Sequence, residues 1–191
     1  MTQLSVTIEA VDALQRGWQT ARSNVGGAFA TVGVPAGRHL VRAGGGSGIG
    51  WPLKSITWQG RDITDVPVEI KSDVADLLIT LVDQPAGVGG TVSSGDAPVV
   101  ESSVLLFPVD PASWLDVGSA PPRFKTVRPD STGAYTIPNV LPGDYFLAAI
   151  AEEAFPGWDP AVLERLGHVA ARVRVEVGQK VTQNLKVGPI K

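Results

Sequence analysis

The stretch "DSTGAYTIPNVLPGDYFLAAI", Asp130 to Ile150, sets a polar turn, an aromatic, a Pro-Gly turn and an apolar strand in succession. Asp130 can bond its own turn and Gly133 can take a positive φ, so these residues close a tight turn. Tyr135 and Ile137 then face a core, Pro142 and Gly143 turn the chain again, and Tyr145 and Leu147 return on the neighbouring strand. An earlier stretch, "GGAFATVGVPAGRHLVRA" from Gly26 to Ala43, repeats this order. Phe29 falls on Tyr135, Val34 on Val140, Gly37 on Gly143, His39 on Tyr145 and Val41 on Leu147, a spacing of 106 residues. A strand-turn-strand corner written twice implies two copies of one β-sandwich architecture.

Period-two alternation extends this reading outward. "LSVTIE" sets Leu4, Val6 and Ile8 on one face, "DLLITLVD" sets Leu77, Ile79 and Leu81 together, and "KVTQNLKV" gathers Val181, Leu185 and Val187. "VAARVRVEV" places Val169, Ala171, Val173, Val175 and Val177 inward. These are half-buried strands of antiparallel sheets. "SVLLFPVD" is nearly continuous in apolar residues and reads as a central strand that Pro108 ends. Helix is scarce. "DPAVLERLG" has Asp159 as N-cap, Pro160 at the first position and Gly167 as stop, and "DPASW" reads as a single turn. At "VDQPAG" a strand gives way to a Pro-Gly link, which predicts domains over 1–84 and 85–191.

The bulk composition agrees with many short strands. The 191 residues include 22 Gly and 15 Pro, whereas aromatics are 6%. Net charge is -3, and neither half is basic, which argues against nucleic acid as a partner. The absence of cysteine excludes disulfides, thiolate metal sites and a cysteine nucleophile. No apolar run approaches the ~20 residues of a membrane helix. "MTQLSVTIEAVD" lacks the basic start and apolar core of a signal peptide.

The run Gly90, Val92, Asp130, Gly133, Tyr135, Ile137, Val140, Pro142, Gly143, Tyr145, Leu147 and Ala149 resembles the carboxypeptidase regulatory-like domains, which group with transthyretin-like and Cna-B-type domains. The resemblance covers Gly87 to Val187 well and Leu4 to Val82 more weakly, because Ala36 and His39 replace a proline and a tyrosine. It implies an all-β chain of two tandem Greek-key sandwiches without catalysis. It also implies a structural or interaction module of the bacterial cell envelope or extracellular space.

No residue pattern points to an enzyme or a cofactor. "GGGSGIG", Gly44 to Gly50, follows a strand but lacks the helix and Lys-Ser/Thr of a phosphate loop, so it reads as a flexible connection. His39 and His168 have no metal-ligand spacing and read as a core and a surface histidine. Asp62 and Asp65, with Asp73 and Asp76 nearby, read as turn acids, since no calcium-loop motif surrounds them. The isopeptide cross-link of Cna-B-type domains lacks its lysine, because "GVGGTVSS" has none. Trp51, Trp114 and Trp158 fall in Gly- and Pro-rich connections and are candidate contacts for a protein partner or, alternatively, a glycan. Gly37, Asp130, Gly133, Pro142 and Gly143 are expected to act as structural turns.

One absence remains. "LSVTIEAVD" matches "SVLLFPVD" in role, but nothing precedes it to match "GVGGTVSS". The first sandwich is therefore expected to lack its first strand and to expose a strand edge. A segment upstream of Met1 could fill the gap. So could a strand of another copy, such as the tail "NLKVGPIK", and head-to-tail pairing of that kind would build a filament.

Overall fold

The computed structural model describes residues 3–11, 18–45, 51–95, 97–119, 121–151 and 157–188. It is an all-β chain of two Greek-key sandwiches with one α-helix among the described residues. By contacts, one unit is Met1–Gln84 with Asp116–Pro121, and the other is Pro85–Leu115 with Pro122–Lys191.

The second unit is built on the most apolar stretch of the chain. Strand β10 (Ser102–Pro108) is buried along its whole length, as expected of a central strand covered on both faces. It lies between β11 (Lys125–Val127) and β13 (Gly143–Ala151), and β14 (Ala171–Val175) completes this sheet. The facing sheet has β8 (Ala86–Ser94) at its centre. On one side β8 pairs antiparallel with β12 (Ala134–Val140). On the other it pairs in parallel with β15 (Lys180–Thr182) and β16 (Leu185–Lys186), and its end folds back on β9 (Ala97–Pro98). Alternate residues Ala86, Val88 and Val92 of β8 enter a core shared with Leu106, Tyr135, Leu147, Val173 and Val175. Helix α1 (Pro160–Gly167) starts where Asp159 accepts from the N–H groups of Ala161 and Val162, and it buries Val162, Leu163 and Leu166. The 3₁₀ turn Pro111–Trp114 starts in the same way at Asp110.

The first unit repeats one of these sheets in register. Strand β1 (Leu4–Ala10) lies between β2 (Trp18–Arg22) and β3 (Gly37–Gly45), with β6 (Val68–Ile70) beyond β3. Ile8 stands opposite Val41 as Leu106 stands opposite Leu147. His39 pairs with Val68 as Tyr145 pairs with Val173, and Gly37 with Ile70 as Gly143 with Val175. The facing sheet differs. It holds β5 (Arg61–Asp62), β4 (Leu53–Trp58) and β7 (Leu78–Leu81) in that order, and no described strand of this unit corresponds to β8.

Three expectations are corrected here. Tyr145 does not return beside Tyr135, because β12 and β13 belong to different sheets and the Pro142–Gly143 turn carries the chain across the sandwich. Val169 and Val177 are exposed, since β14 ends at Ala171 and Val175 and they lie beyond it. The tail stretch from Leu185 to Val187 is not spare: Leu185 is buried beside Val92, and Val187 bridges Ala149. Donating it to another copy would open the second unit's own core. Of the glycine run, residues 46–50 lie outside the described residues, as do residues 189–191 of the tail.

Candidate functional site

Among the described residues the first unit has no strand in the place of β8, and a groove lies there. In the second unit, β12 is a strand because β8 supplies its ladder partner. The corresponding residues 28–34 of the first unit adopt no strand. Residues 73–77, which lead into β7, adopt none either, and β7 pairs only with β4 among the described strands. Between these two lips lies a groove of about 580 Å³. Its floor is Ile8, Val41, Val68 and Ile70, the register equivalents of Leu106, Leu147, Val173 and Val175, with Trp58 beside them. Phe29, Val32 and Val34 form one lip, and Val74 and Leu77 the other. Val32 is 85% exposed. The buried core of this unit is correspondingly small: Val6, Ile8, Val41, Ile56 and Ile63, ringed by half-buried apolar residues.

The groove lies against a well-tied scaffold. Trp58 donates its indole N–H to the Ala75 carbonyl at 3.2 Å, which holds the second lip. The Asn24 side chain accepts from the N–H groups of Gly26 and Ala28, and this turn leads into the first lip. Elsewhere in the unit, Arg42 donates to the carbonyls of Thr64 and Val117 and lies 3.8 Å from Glu9 and 3.9 Å from Asp65. Burial pulls the Arg42 guanidinium below its ordinary value, and Asp65 and then Glu9 oppose that pull. Arg38 pairs with Asp116 at 2.5 Å, so two arginines of β3 hold the Asp116–Pro121 segment to the first unit.

The tryptophans separate. Trp51 is 60% exposed. Trp114 is buried, which corrects its reading as a surface contact: its indole N–H donates to the Pro108 carbonyl at 2.8 Å, and its ring meets Phe107 edge-on. Trp158 is half-buried, edge-on to Phe124. An indole that finds both an apolar wall and an acceptor is more stable inside than at the surface.

The turn residues do structural work. One oxygen of Asp130 accepts from the N–H and hydroxyl of Thr132 and from the N–H of Ala134. The Thr132 hydroxyl, and then its N–H, hold that carboxyl below the usual range. Gly133 has φ +80°, and a Cβ there would lie 2.8 Å from the Val92 carbonyl. Gly37 and Gly143 open β3 and β13 with φ +140° and +157°. Arg123 donates to the Pro142 carbonyl at 2.6 Å and locks that corner. Asp62 accepts from the N–H and hydroxyl of Thr64, and Asp65 is buried beside Arg42. Both acids are thus engaged in the scaffold. Among the described residues, no group of three or more His, Asp or Glu is placed to hold a metal ion. His39 is buried with Nδ1 3.0 Å from the Gly37 carbonyl, and His168 caps α1.

The sequence predicted a missing first strand and an exposed edge in this unit; the groove's lining from Phe29–Val34 and Val74–Leu77 is what the structure adds. Its signal lay in two facts taken together: the Phe29–Val34 copy of β12, and no stretch ahead of "LSVTIEAVD" in this sequence that matches "GVGGTVSS".

No protein-family model and no curated protein matches the chain. Among solved structures, it is similar to the minor pilin GBS52 of Streptococcus agalactiae, at 16% identity and a TM-score of 0.38, over 99% of this chain and 84% of that one. It is similar to the major pilin subunit BcpA of Bacillus cereus, at 11% identity and a TM-score of 0.33, over 97% of this chain and 59% of that one. It is also similar to the Bacillus anthracis TIE protein, at 8% identity and a TM-score of 0.35. The chain covers 30% of the TIE protein's length, and 97% of this chain is covered. These scores and identities are low, and the fold rests on the chain's own strands and registers.

Proposed function

We propose that the chain is a non-enzymatic structural or protein-interaction module of the bacterial cell envelope or extracellular space, and that it meets its partner at the open side of the first sandwich. The observation that carries this reading is the apolar groove flanked by two segments, residues 28–34 and 73–77, that form no strand. Backbone outside any ladder, beside exposed apolar side chains, favours pairing with another polypeptide. The envelope location and the finer assignment to carboxypeptidase regulatory-like domains rest on the motif running from Gly90 to Ala149. The alternative, carbohydrate binding through loop tryptophans, is left with exposed Trp51 and half-buried Trp158.

A photoreactive residue placed at Val32, on intact cells of the organism that makes the chain, tests this reading. A discrete polypeptide adduct at Val32, absent when the same residue replaces exposed Arg174, is the expected result. Identical adducts at both positions, or none at either, would overturn it. A glycan adduct would favour the alternative.

A further inference from the structure

We infer that the groove of the first unit is an acceptor slot for one extended polypeptide strand of the β8 type, supplied by another protein. This rests on the interaction reading above and specifies the chemistry of the partner. The occupant is argued from the second unit, where the same slot is filled. There β8 runs antiparallel to β12 and parallel to β15 and β16, and it presents Ala86, Val88 and Val92 to the core. Its glycines are where neighbouring backbone crowds in. A Cβ at Gly87 would lie 3.0 Å from the Ile137 carbonyl, one at Gly89 3.1 Å from that of Tyr135, and one at Gly90 2.0 Å from that of Gln183.

The first unit keeps the register of the sheet that β8 covers. Ile8, Val41, Val68 and Ile70 stand where Leu106, Leu147, Val173 and Val175 stand, yet they line a groove instead of a closed core. The segments that would flank the incoming strand are present but unladdered. Residues 28–34 are placed to pair with it antiparallel, as β12 does with β8, and β7 has its second edge unpaired among the described strands. The strand that fits is therefore about six to nine residues long, with small or β-branched residues at alternate positions and glycine between them. No described strand of this chain is free to supply it. Among the described strands the one with this pattern is β8, which is central in its own sheet, and the C-terminal strand β16 is engaged with β8.

The test uses the full chain and a labelled synthetic peptide, PAGVGGTVSSG, the sequence of residues 85–95. Saturable one-to-one binding is expected in fluorescence anisotropy. Hydrogen exchange should show new protection at the amides of residues 28–34, and the first unit should melt at a higher temperature. A peptide carrying Val88→Asp and Val92→Asp should not bind. Val34→Arg in the chain should abolish saturable binding, whereas Val25→Arg, on an exposed residue outside the groove, should leave it intact. Absence of binding would overturn the inference. So would binding without protection of residues 28–34, or a chain that oligomerises through this groove and excludes the peptide. Because hydrogen exchange is read on the unmutated chain, misfolding of a variant cannot mask the outcome. A discrete cellular adduct at Val32 without peptide binding would leave the interaction reading standing and remove the strand chemistry.

Discussion

Residues 134–140 and 28–34 carry the same motif and end in different states. The first group is a ladder strand whose Tyr135, Ile137 and Val140 are buried. The second forms no strand, and its Val32 is exposed while Phe29 and Val34 are half-buried. Local sequence does not account for the difference, since aromatic, β-branched and turn residues fall at matching positions. The partner does. β8 supplies backbone hydrogen bonds to β12 and three apolar side chains to the core beneath it. No described strand does the same for residues 28–34. Strand formation here is a property of the pair of segments, consistent with β-propensity being largely a matter of cross-strand packing and burial.

This comparison predicts two melting transitions, with the first unit lower because its buried cluster is small and open. The largest single-residue effect should come from the closed unit. Trp114→Ala removes a buried ring that packs on Phe107 and leaves the Pro108 carbonyl without its indole donor. It should lower the stability of the upper transition by about 3–5 kcal/mol. Trp51→Ala, at an exposed position, should move either transition by less than about 0.5 kcal/mol. Urea titration of both variants checks this, and equal effects would erase the distinction between the two environments.

A smaller effect is expected at the corner. Gly143 has φ +157°, and a Cβ there would stand 2.9 Å from the Arg123 guanidinium, which is tied to the Pro142 carbonyl. Because Arg123 can swing aside but loses that bond, Gly143→Val should cost about 1–3 kcal/mol in the upper transition. An unshifted urea midpoint would show that the corner tolerates a side chain.

Much of this fold was legible from short-range pattern. Alternation marked β1 and β14, the unbroken apolar run marked β10, and Asp159-Pro160 marked the start of α1, because each depends on neighbours within a few residues. What was not legible depended on distant partners. The placement of β12 and β13 in separate sheets follows from β8 and β10, which lie far away in sequence. The inclusion of Asp116–Pro121 in the first unit depends on Arg38 and Arg42, more than seventy residues earlier. Trp114 looked like a loop aromatic because its acceptor, the Pro108 carbonyl, is a backbone atom that no residue type announces. The groove was half legible: the missing strand could be read, but its consequence for residues 28–34 required the two units side by side.

The last effect is confined to alkaline pH. Tyr135 lies in the closed core, and its hydroxyl donates to the Gln183 carbonyl at 2.5 Å. Burial pushes its pKa up to about 12, above the value near 10 of an exposed tyrosine. Below pH 10 the phenol is protonated in both folded and unfolded chains, so its contribution to stability is fully present. Between about pH 10 and 12 the unfolded chain has lost the proton while the folded chain keeps it. The unfolded state then binds fewer protons, and stability falls as pH rises through the folded pKa. Phe29, the counterpart in the open unit, has no hydroxyl and can contribute no such term. The upper transition should therefore weaken in this window, and Tyr135→Phe should flatten that part of the loss while lowering stability slightly at neutral pH through the missing hydrogen bond. Melting temperatures from pH 8 to 12 on both proteins measure it. An equal alkaline slope in the wild type and in Tyr135→Phe would mean that the phenol is not what ties the second unit to pH.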